Sequence, residues 1–194
     1  MFIAGSEVVG NKIKEAYTEK GIRAFDYDYM AGVFEHPFEV VTCSLEEAPE
    51  EYYIAESVGR HLDGCRIGFD AGGSDRKVSA VVNGESIYSE EVVWFPKLES
   101  DPMYHYEGIL SAMKTAASHM PRVDAVGVSS AGIYIDNKIM VASLFLKVND
   151  EDFEKHVKNM YIDVAKEIGD VPVEVANDGD VTALAGAMNL EDTN

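Results

Sequence analysis

The sequence predicts an α/β fold in which a mixed β-sheet carries helices on both faces, and two observations lead to it. From residue 63 onward, three strand patterns come first, and the dipeptide Asn83-Gly84 joins two of them as a hairpin turn. Helical and strand patterns then alternate, which is typical of a parallel arrangement. With 194 residues, 46% of them hydrophobic, the chain is long enough to build the core of such a domain.

The antiparallel strands are predicted in CRIGFD (65–70), KVSAVV (77–82) and ESIYSEEVVWF (85–95). Asp101 then starts a helix as its N-cap, with Pro102 in the first turn. Apolar residues spaced by three or four positions predict the buried face of this helix: Met103, Tyr106, Leu110, Met113, Ala117 and Met120.

The alternating part begins with VDAVGVSSAG (123–132), a buried strand, and continues with a small hairpin, GIYIDNKIMVA (132–142). Asp150 starts a second helix, which ends at Gly169. VPVEVAND (171–178) is the last strand, and DVTALAGAM (180–188) lies in a third helix. The order β-β-β-α-β-hairpin-α-β-α is that of a ribonuclease-H-like lobe.

Residues 1–62 form a separate N-terminal α/β extension in this prediction, ahead of the lobe in residues 63–194. Its patterns predict a short helix closed by Gly21, strands over 22–29 and 37–44, and a helix from Pro49 onward. The patterns do not define how these elements pack.

The charge of the chain bears on its partners. There are 35 acidic and 16 basic side chains, a formal net charge of -19, which argues against binding to nucleic acid phosphates or to anionic lipid. No stretch approaches the roughly 20 apolar residues of a membrane span, and the first residues do not resemble a signal peptide. Cys43 and Cys65 lack zinc-site spacing, and two buried, reduced thiols are favoured over a disulfide between them. We therefore expect a cytoplasmic protein.

Polar residues and glycines follow three of the predicted strands. They are Asp70 with the turn after it, Ser129-Ser130, and Asn177-Asp178. Ligands of α/β sheets gather at the carboxyl ends of strands, so these stretches should converge on one edge. Each also has a structural interpretation, since glycines form tight turns and Asn or Asp caps helices.

Three segments, in this order, resemble a known family. FDAGGSDRKVSAVVNGE (69–85) is similar to the first phosphate motif of the sugar-kinase, heat-shock-protein and actin superfamily. AVGVSSAGIYIDNKIMVAS (125–143) and VPVEVANDGDVTALAGAM (171–188) resemble the strand-hairpin and the sugar-binding, catalytic segments of the ROK family (repressor, open reading frame, kinase). The resemblance covers residues 65–188 and implies an actin-like ATPase lobe.

The resemblance implies an ATP and magnesium site at the first motif. Gly72, Gly73 and Ser74 would face the ATP phosphates, with backbone N–H groups and the Ser74 hydroxyl as donors. Asp70 would hold hydrated Mg²⁺. Where the family has lysine after this turn, the chain has Asp75, which places a further negative charge there.

The other segments imply a sugar site. Asn177 would bind sugar hydroxyls, and Asp178 would contact the sugar and act as general base on the attacking hydroxyl. Gly132 stands in the family's Pro-Gly position and would border the substrate. The family's second lobe, with its adenosine-binding motif, does not follow Met188 in this sequence.

The leading hypothesis is therefore the N-terminal lobe of a ROK-like sugar kinase that transfers the ATP γ-phosphate to a hexose or amino-hexose, inactive as a fragment. The alternative is a non-catalytic sugar sensor or regulator. A two-metal nuclease of the ribonuclease H fold is disfavoured by the charge of -19. The sequence leaves the sugar and the oligomeric state open, a homodimer included.

Overall fold

The computed structural model describes residues 1–51 and 62–189, and the chain divides into two compact units, Met1–Ser57 and Val58–Asn194. The sequence-based boundary after residue 62 stays a prediction. The helix expected from Pro49 is absent from Pro49–Glu51, and the rest of it, up to residue 61, lies outside the described residues.

The first unit contains strand β1 (Phe2–Ala4), helices α1 (Glu7–Ala16) and α2 (Ala24–Phe34), and strand β2 (Val41–Cys43), which pairs in parallel with β1. The strand predicted over 22–29 is wrong, because residues 24–29 belong to α2 and the two residues before them form a turn. Its alternating aromatic residues fit a helix as well, since Phe25 and Tyr29 are four positions apart and their rings stack at 5.7 Å. The first helix ends at Ala16, earlier than the predicted end at Gly21.

The second unit has seven strands in its described part: β3 (Cys65–Ala71), β4 (Asp75–Val82), β5 (Glu85–Val93), β6 (Ala125–Ser130), β7 (Gly132–Ile135), β8 (Lys138–Ala142) and β9 (Val173–Asn177). Five of them form one sheet in the order β5-β4-β3-β6-β9. Pairing is antiparallel among β3, β4 and β5, and parallel among β3, β6 and β9. This is the predicted mixed sheet, and β7 and β8 form the predicted hairpin beside it.

The helices of this unit are α3 (Pro102–Ser118), α4 (Asp150–Asp152), α5 (Met160–Gly169) and α6 (Asp178–Asn189). The predicted cap of α3 is confirmed, since the Asp101 carboxylate accepts a hydrogen bond of 2.9 Å from the Met103 amide. The helix predicted from Asp150 is not continuous, because a π-helical turn over Phe153–Val157 separates α4 from α5. None of the helices in the described part of the chain has the length and apolar character to cross a bilayer.

The main core lies between one face of the sheet and helices α3 and α5. The inward side chains of β3 and β6 alternate with outward ones, so that Ile67 and Phe69 are buried while Gly68 and Asp70 belong to the other face. The most buried members from strands and helices are Ile67, Phe69, Val126, Val128, Ile109, Met113, Met160 and Val164.

The buried face of α3 is rotated from the predicted one. Met103 is 43% exposed, whereas His105 is fully buried. The two ring nitrogens of His105 lie within hydrogen-bond distance of main-chain carbonyl oxygens, 3.1 Å from Asp101 and 3.0 Å from Pro96. Whichever ring nitrogen carries the proton can donate to a main-chain carbonyl, which allows a histidine to occupy this core position.

Helix α6 covers part of the opposite face of the sheet, which confirms helices on both faces. A groove of about 560 Å³ runs between them. Small residues form its floor, and α6 contributes apolar side chains: Gly68, Gly127, Ser129, Ala176, Val181 and Leu184. Asp70 and Lys77 line the end of this groove near the carboxyl end of β3.

Candidate functional site

The carboxyl ends of the three parallel strands meet at one edge of the sheet. Ala71 pairs with Ser130, and Ser130 pairs with Asn177, so these three residues form one row across β3, β6 and β9. Asp70 stands one position before this row, and Asp178 one position after it, at the start of α6. The structure thus brings together the stretches that the sequence singled out at strand ends.

The glycine turn connects β3 to β4 and is bound to the segment that follows β5. The Trp94 indole Nε1 donates a 2.8 Å hydrogen bond to the Gly72 carbonyl, and the Trp94 amide donates one of 3.1 Å to the Ser74 carbonyl. A Cβ built on Gly72 would lie 2.5 Å from the Asp75 carbonyl oxygen, so the close backbone approach requires glycine there. Trp94 therefore fixes the main chain of the turn at two points, Gly72 and Ser74.

The unexpected charge of Asp75 is matched by a lysine. Lys77 Nζ lies 2.6 Å from Asp75 Oδ1 and 4.0 Å from Asp70 Oδ2. The hydrogen bond from Lys77 lowers the pKa of Asp75, and the same bond raises the pKa of Lys77. Arg76 does not contribute, because its guanidinium lies over the Trp94 ring, 5.8 Å from the centroid. The Ser74 hydroxyl donates to Asp75 Oδ2 at 3.2 Å.

Asp70 has the chemistry expected of a magnesium ligand that acts together with phosphate. Its side chain is 44% exposed at the end of the groove. Within residues 1–51 and 62–189, no three His, Cys, Asp or Glu side chains form a metal-binding group. One accessible carboxylate fits Mg²⁺, which keeps several waters and takes its remaining ligands from substrate phosphates.

The Asn177-Asp178 pair divides into a bonded residue and an exposed one. Asn177 Nδ2 donates to the Gly132 carbonyl at 2.9 Å, and its Oδ1 accepts from the Gly179 amide at 2.9 Å. Asp178 Oδ1 also accepts from the Gly179 amide, at 3.0 Å, and the residue is exposed. Asn177 therefore connects the hairpin to the start of α6, while the Asp178 carboxylate faces solvent.

Gly132 is held tightly at the start of the hairpin. A Cβ on Gly132 would lie 2.5 Å from the Val141 carbonyl oxygen and 2.9 Å from the Tyr134 hydroxyl. Burial raises the pKa of Tyr134 to about 12, so its hydroxyl remains protonated at neutral pH. The buried Ser130 hydroxyl interacts with the hydroxyls of Tyr134 and Tyr161, and this interaction lowers the pKa of both tyrosines against the larger, opposite effect of burial. No sequence pattern pointed to these tyrosines, because their proximity depends on the packing of the hairpin against α5.

Comparison with solved structures reveals the class of fold. The chain matches a glucokinase from Parabacteroides distasonis ATCC 8503 with a TM-score of 0.50 and 18% identity, over 66% of this chain and 34% of that one. The fold is that of an actin-like ATPase lobe, as the sequence predicted.

Further matches are an inorganic polyphosphate/ATP-glucomannokinase from an Arthrobacter strain (strain KM; TM-score 0.49, 23% identity, 65% of this chain and 49% of that one) and a ROK hexokinase from Thermus thermophilus (TM-score 0.47, 18% identity, 63% and 36%). All three of these proteins are sugar kinases by name and one is a ROK hexokinase; at identities of 18–23% the likeness to this chain is one of fold, which agrees with the predicted resemblance. The chain spans between a third and a half of the length of these three proteins. No family model and no curated protein sequence matches it.

Proposed function

We propose that this chain is the N-terminal lobe of a ROK-like sugar kinase, which transfers the γ-phosphate of ATP to a hydroxyl of a hexose or amino-hexose. One observation carries the proposal: the glycine turn, Asp70 and Asp178 lie along a single edge of the sheet. Phosphoryl transfer mainly requires positioning and charge stabilisation, which such an edge can provide. A cytoplasmic location, where ATP is available, agrees with this activity.

The turn and Asp70 are assigned to the nucleotide. The backbone N–H groups of Gly72 and Gly73 bind phosphate oxygens, and Ser74 adds a hydroxyl donor once it turns away from Asp75. Asp70 holds Mg²⁺ through its waters. The metal, when bound, neutralises charge on the transferred phosphoryl group.

Asp178 is assigned the role of general base. Its carboxylate is exposed, and its hydrogen bond to the Gly179 amide leaves the other oxygen available for a sugar hydroxyl. Asn177 binds the sugar through the second hydrogen of its Nδ2 and the second lone pair of its Oδ1, since each atom has one hydrogen bond already. Gly132 borders the sugar through its backbone.

A sugar sensor without turnover is the second candidate, and one contact favours it. The Ser74 hydroxyl is bonded to Asp75, which removes a phosphate donor and adds negative charge beside the turn. A sensor would keep the Asn177 and Gly132 side of the site and make no use of the phosphate turn.

The test uses the complete protein that contains this lobe. Asp178→Asn should lower sugar-dependent ATP turnover by about 10²- to 10⁴-fold, with sugar affinity and melting temperature little changed. Asp180→Asn is the matched control, because Asp180 is also an exposed acid in the first turn of α6; it should keep full turnover.

Full turnover in Asp178→Asn would remove Asp178 from catalysis. Absence of turnover in the wild-type protein, together with measurable sugar binding by calorimetry, would favour the sensor.

A further inference from the structure

We propose that Lys97 is the cation that binds the phosphate chain at the Gly72–Ser74 turn. The inference rests on the proposed function and deepens it, because it names a phosphate ligand on a different element from the turn. The ligand class is a di- or triphosphate, bound through its oxygens.

The position of the Lys97 side chain carries the inference. A Cβ built on Gly73 would lie 3.0 Å from Lys97 Nζ and 2.9 Å from its Cε. The ammonium group thus lies directly over the glycine whose backbone faces the proposed phosphate site. A side chain at position 73 would displace it, so glycine here leaves room for the lysine as well as for a ligand.

The main chain that carries Lys97 is fixed relative to the turn. Lys97 lies in a single 3₁₀ turn, Pro96–Leu98, and Pro96 is buried. Two residues earlier, Trp94 forms its two hydrogen bonds to the carbonyls of Gly72 and Ser74. The lysine and the turn are therefore parts of one hydrogen-bonded unit, although they are far apart in sequence.

The charges around the turn leave Lys97 available for an anion. Lys77 is engaged with Asp75 at 2.6 Å, and Arg76 stacks on Trp94. In the part of the chain that the structure describes, Lys97 has no ion pair with an acidic residue. An ammonium group with three donors and no carboxylate partner, beside a glycine turn, has the chemistry of a phosphate ligand.

The experiment uses the 194-residue chain with Mg²⁺-ATP and, separately, inorganic triphosphate with Mg²⁺, titrated by calorimetry and by tryptophan fluorescence. Trp94 is the only tryptophan in the sequence, and its indole bonds to the turn. The variants are Lys97→Gln, which removes the charge, and Lys97→Arg, which keeps it. Lys114→Gln is the control, because Lys114 is also an exposed lysine, on α3 away from the turn, where it pairs with Glu167 at 3.6 Å.

Lys97→Gln should weaken binding of both ligands about tenfold, the effect of one charged hydrogen bond, whereas Lys97→Arg should stay within about threefold and Lys114→Gln should not differ from wild type. The wild type should also lose more affinity with added salt than Lys97→Gln does, which a purely structural role would not produce. Melting temperatures of all variants should agree, because Lys97 is exposed.

Equal affinity of Lys97→Gln and wild type would overturn the inference and leave the kinase proposal intact. If the wild-type chain bound neither ligand, the inference would also be overturned, because the turn would then not be a phosphate site. Weakened binding in Lys97→Gln, combined with absent turnover in the complete protein, would support the phosphate site and refute the kinase.

Discussion

The two adjacent glycines of the turn should respond very differently to the same substitution. In Gly72→Ala, the new methyl group would meet the Asp75 carbonyl oxygen at 2.5 Å, and in Gly73→Ala it would meet Lys97 Cε at 2.9 Å. The first neighbour is main chain in a paired strand, since Asp75 pairs with Val93. The second is the far end of a flexible, exposed side chain.

The size of each loss in unfolding free energy depends on whether main chain or a side chain has to move to make room for the methyl group. Ordinary van der Waals contact begins at 3.4 Å, so relief at Gly72 requires a main-chain shift of about 0.9 Å, from 2.5 to 3.4 Å. Overpacking of this kind costs about 1–3 kcal/mol, and the Trp94 bond to the Gly72 carbonyl resists the shift. We expect Gly72→Ala to lose about 2–3 kcal/mol of unfolding free energy. Lys97 can turn away at little cost, and alanine restricts the unfolded chain, so Gly73→Ala should be within about 1 kcal/mol of wild type.

The assay is urea unfolding followed by Trp94 fluorescence, which reports on the second unit, with thermal unfolding alongside. The expected loss in Gly72→Ala corresponds to a decrease in melting temperature of roughly 6–12 °C. Triphosphate binding should weaken in Gly73→Ala in spite of its normal stability. Should Gly72→Ala prove as stable as wild type, or Gly73→Ala the less stable of the two, the assigned contacts would be incorrect.

Two further predictions concern bonds that join strands of the second unit. The pKa of Asp124 is lowered by its hydrogen bonds from Arg122 Nε and the Cys65 amide. The ionised carboxylate therefore stabilises the folded protein at pH values above its pKa in the unfolded chain, near 3.9, and this stabilisation disappears as the pH falls through the lower pKa of the folded protein. The free energy of unfolding, measured as a function of pH, should be larger for wild type than for Asp124→Asn at neutral pH and equal for the two proteins in acid. A difference that persists at the lowest pH would contradict this. In Asn137→Gly the left-handed turn (φ 63°) is retained, since glycine adopts it easily, but the 2.7 Å hydrogen bond from the Val175 amide to the Asn137 side chain is lost. Urea unfolding should therefore show a free energy of unfolding lower by about 1 kcal/mol; an unchanged value would mean that this bond does not stabilise the fold.

Local signals predicted the second unit well where one or two residues determine the backbone. Asn83 and Gly84 both adopt positive φ, 51° and 83°, as the hairpin requires. Asp136 and Asn137 do the same at the tip of the second hairpin, with φ of 51° and 63°. Such turns fix the register of the strands beside them, and the strand order then follows from alternating elements.

The predictions were wrong where the local sequence is compatible with two structures and tertiary contacts determine which one forms. The apolar spacing predicted Met103 on the buried face of α3, but Met103 is 43% exposed and His105 is fully buried, with its ring nitrogens near the main-chain carbonyls of Asp101 and Pro96. The Phe25–Tyr29 segment alternates like a strand and yet forms a helix. Lys97 gave no signal at all, since its place over Gly73 depends on bonds between Trp94 and a turn twenty residues earlier in the chain.

The Asn177-Asp178 segment shows why capping and chemistry are not competing interpretations of one motif. Asn177 uses its amide to join the Gly132 carbonyl to the Gly179 amide, so the strand end, the hairpin and the first turn of α6 are held together by one side chain. These bonds fix the main chain where it passes from β9 into α6. Asp178, the next residue, is therefore held in an exposed position, and its carboxylate accepts one hydrogen bond, from the neighbouring Gly179 amide. A general base has to be held in place by groups other than its own carboxylate, because that carboxylate must remain available for the proton. The cap at Asn177 is therefore the structural requirement for the proposed role of Asp178.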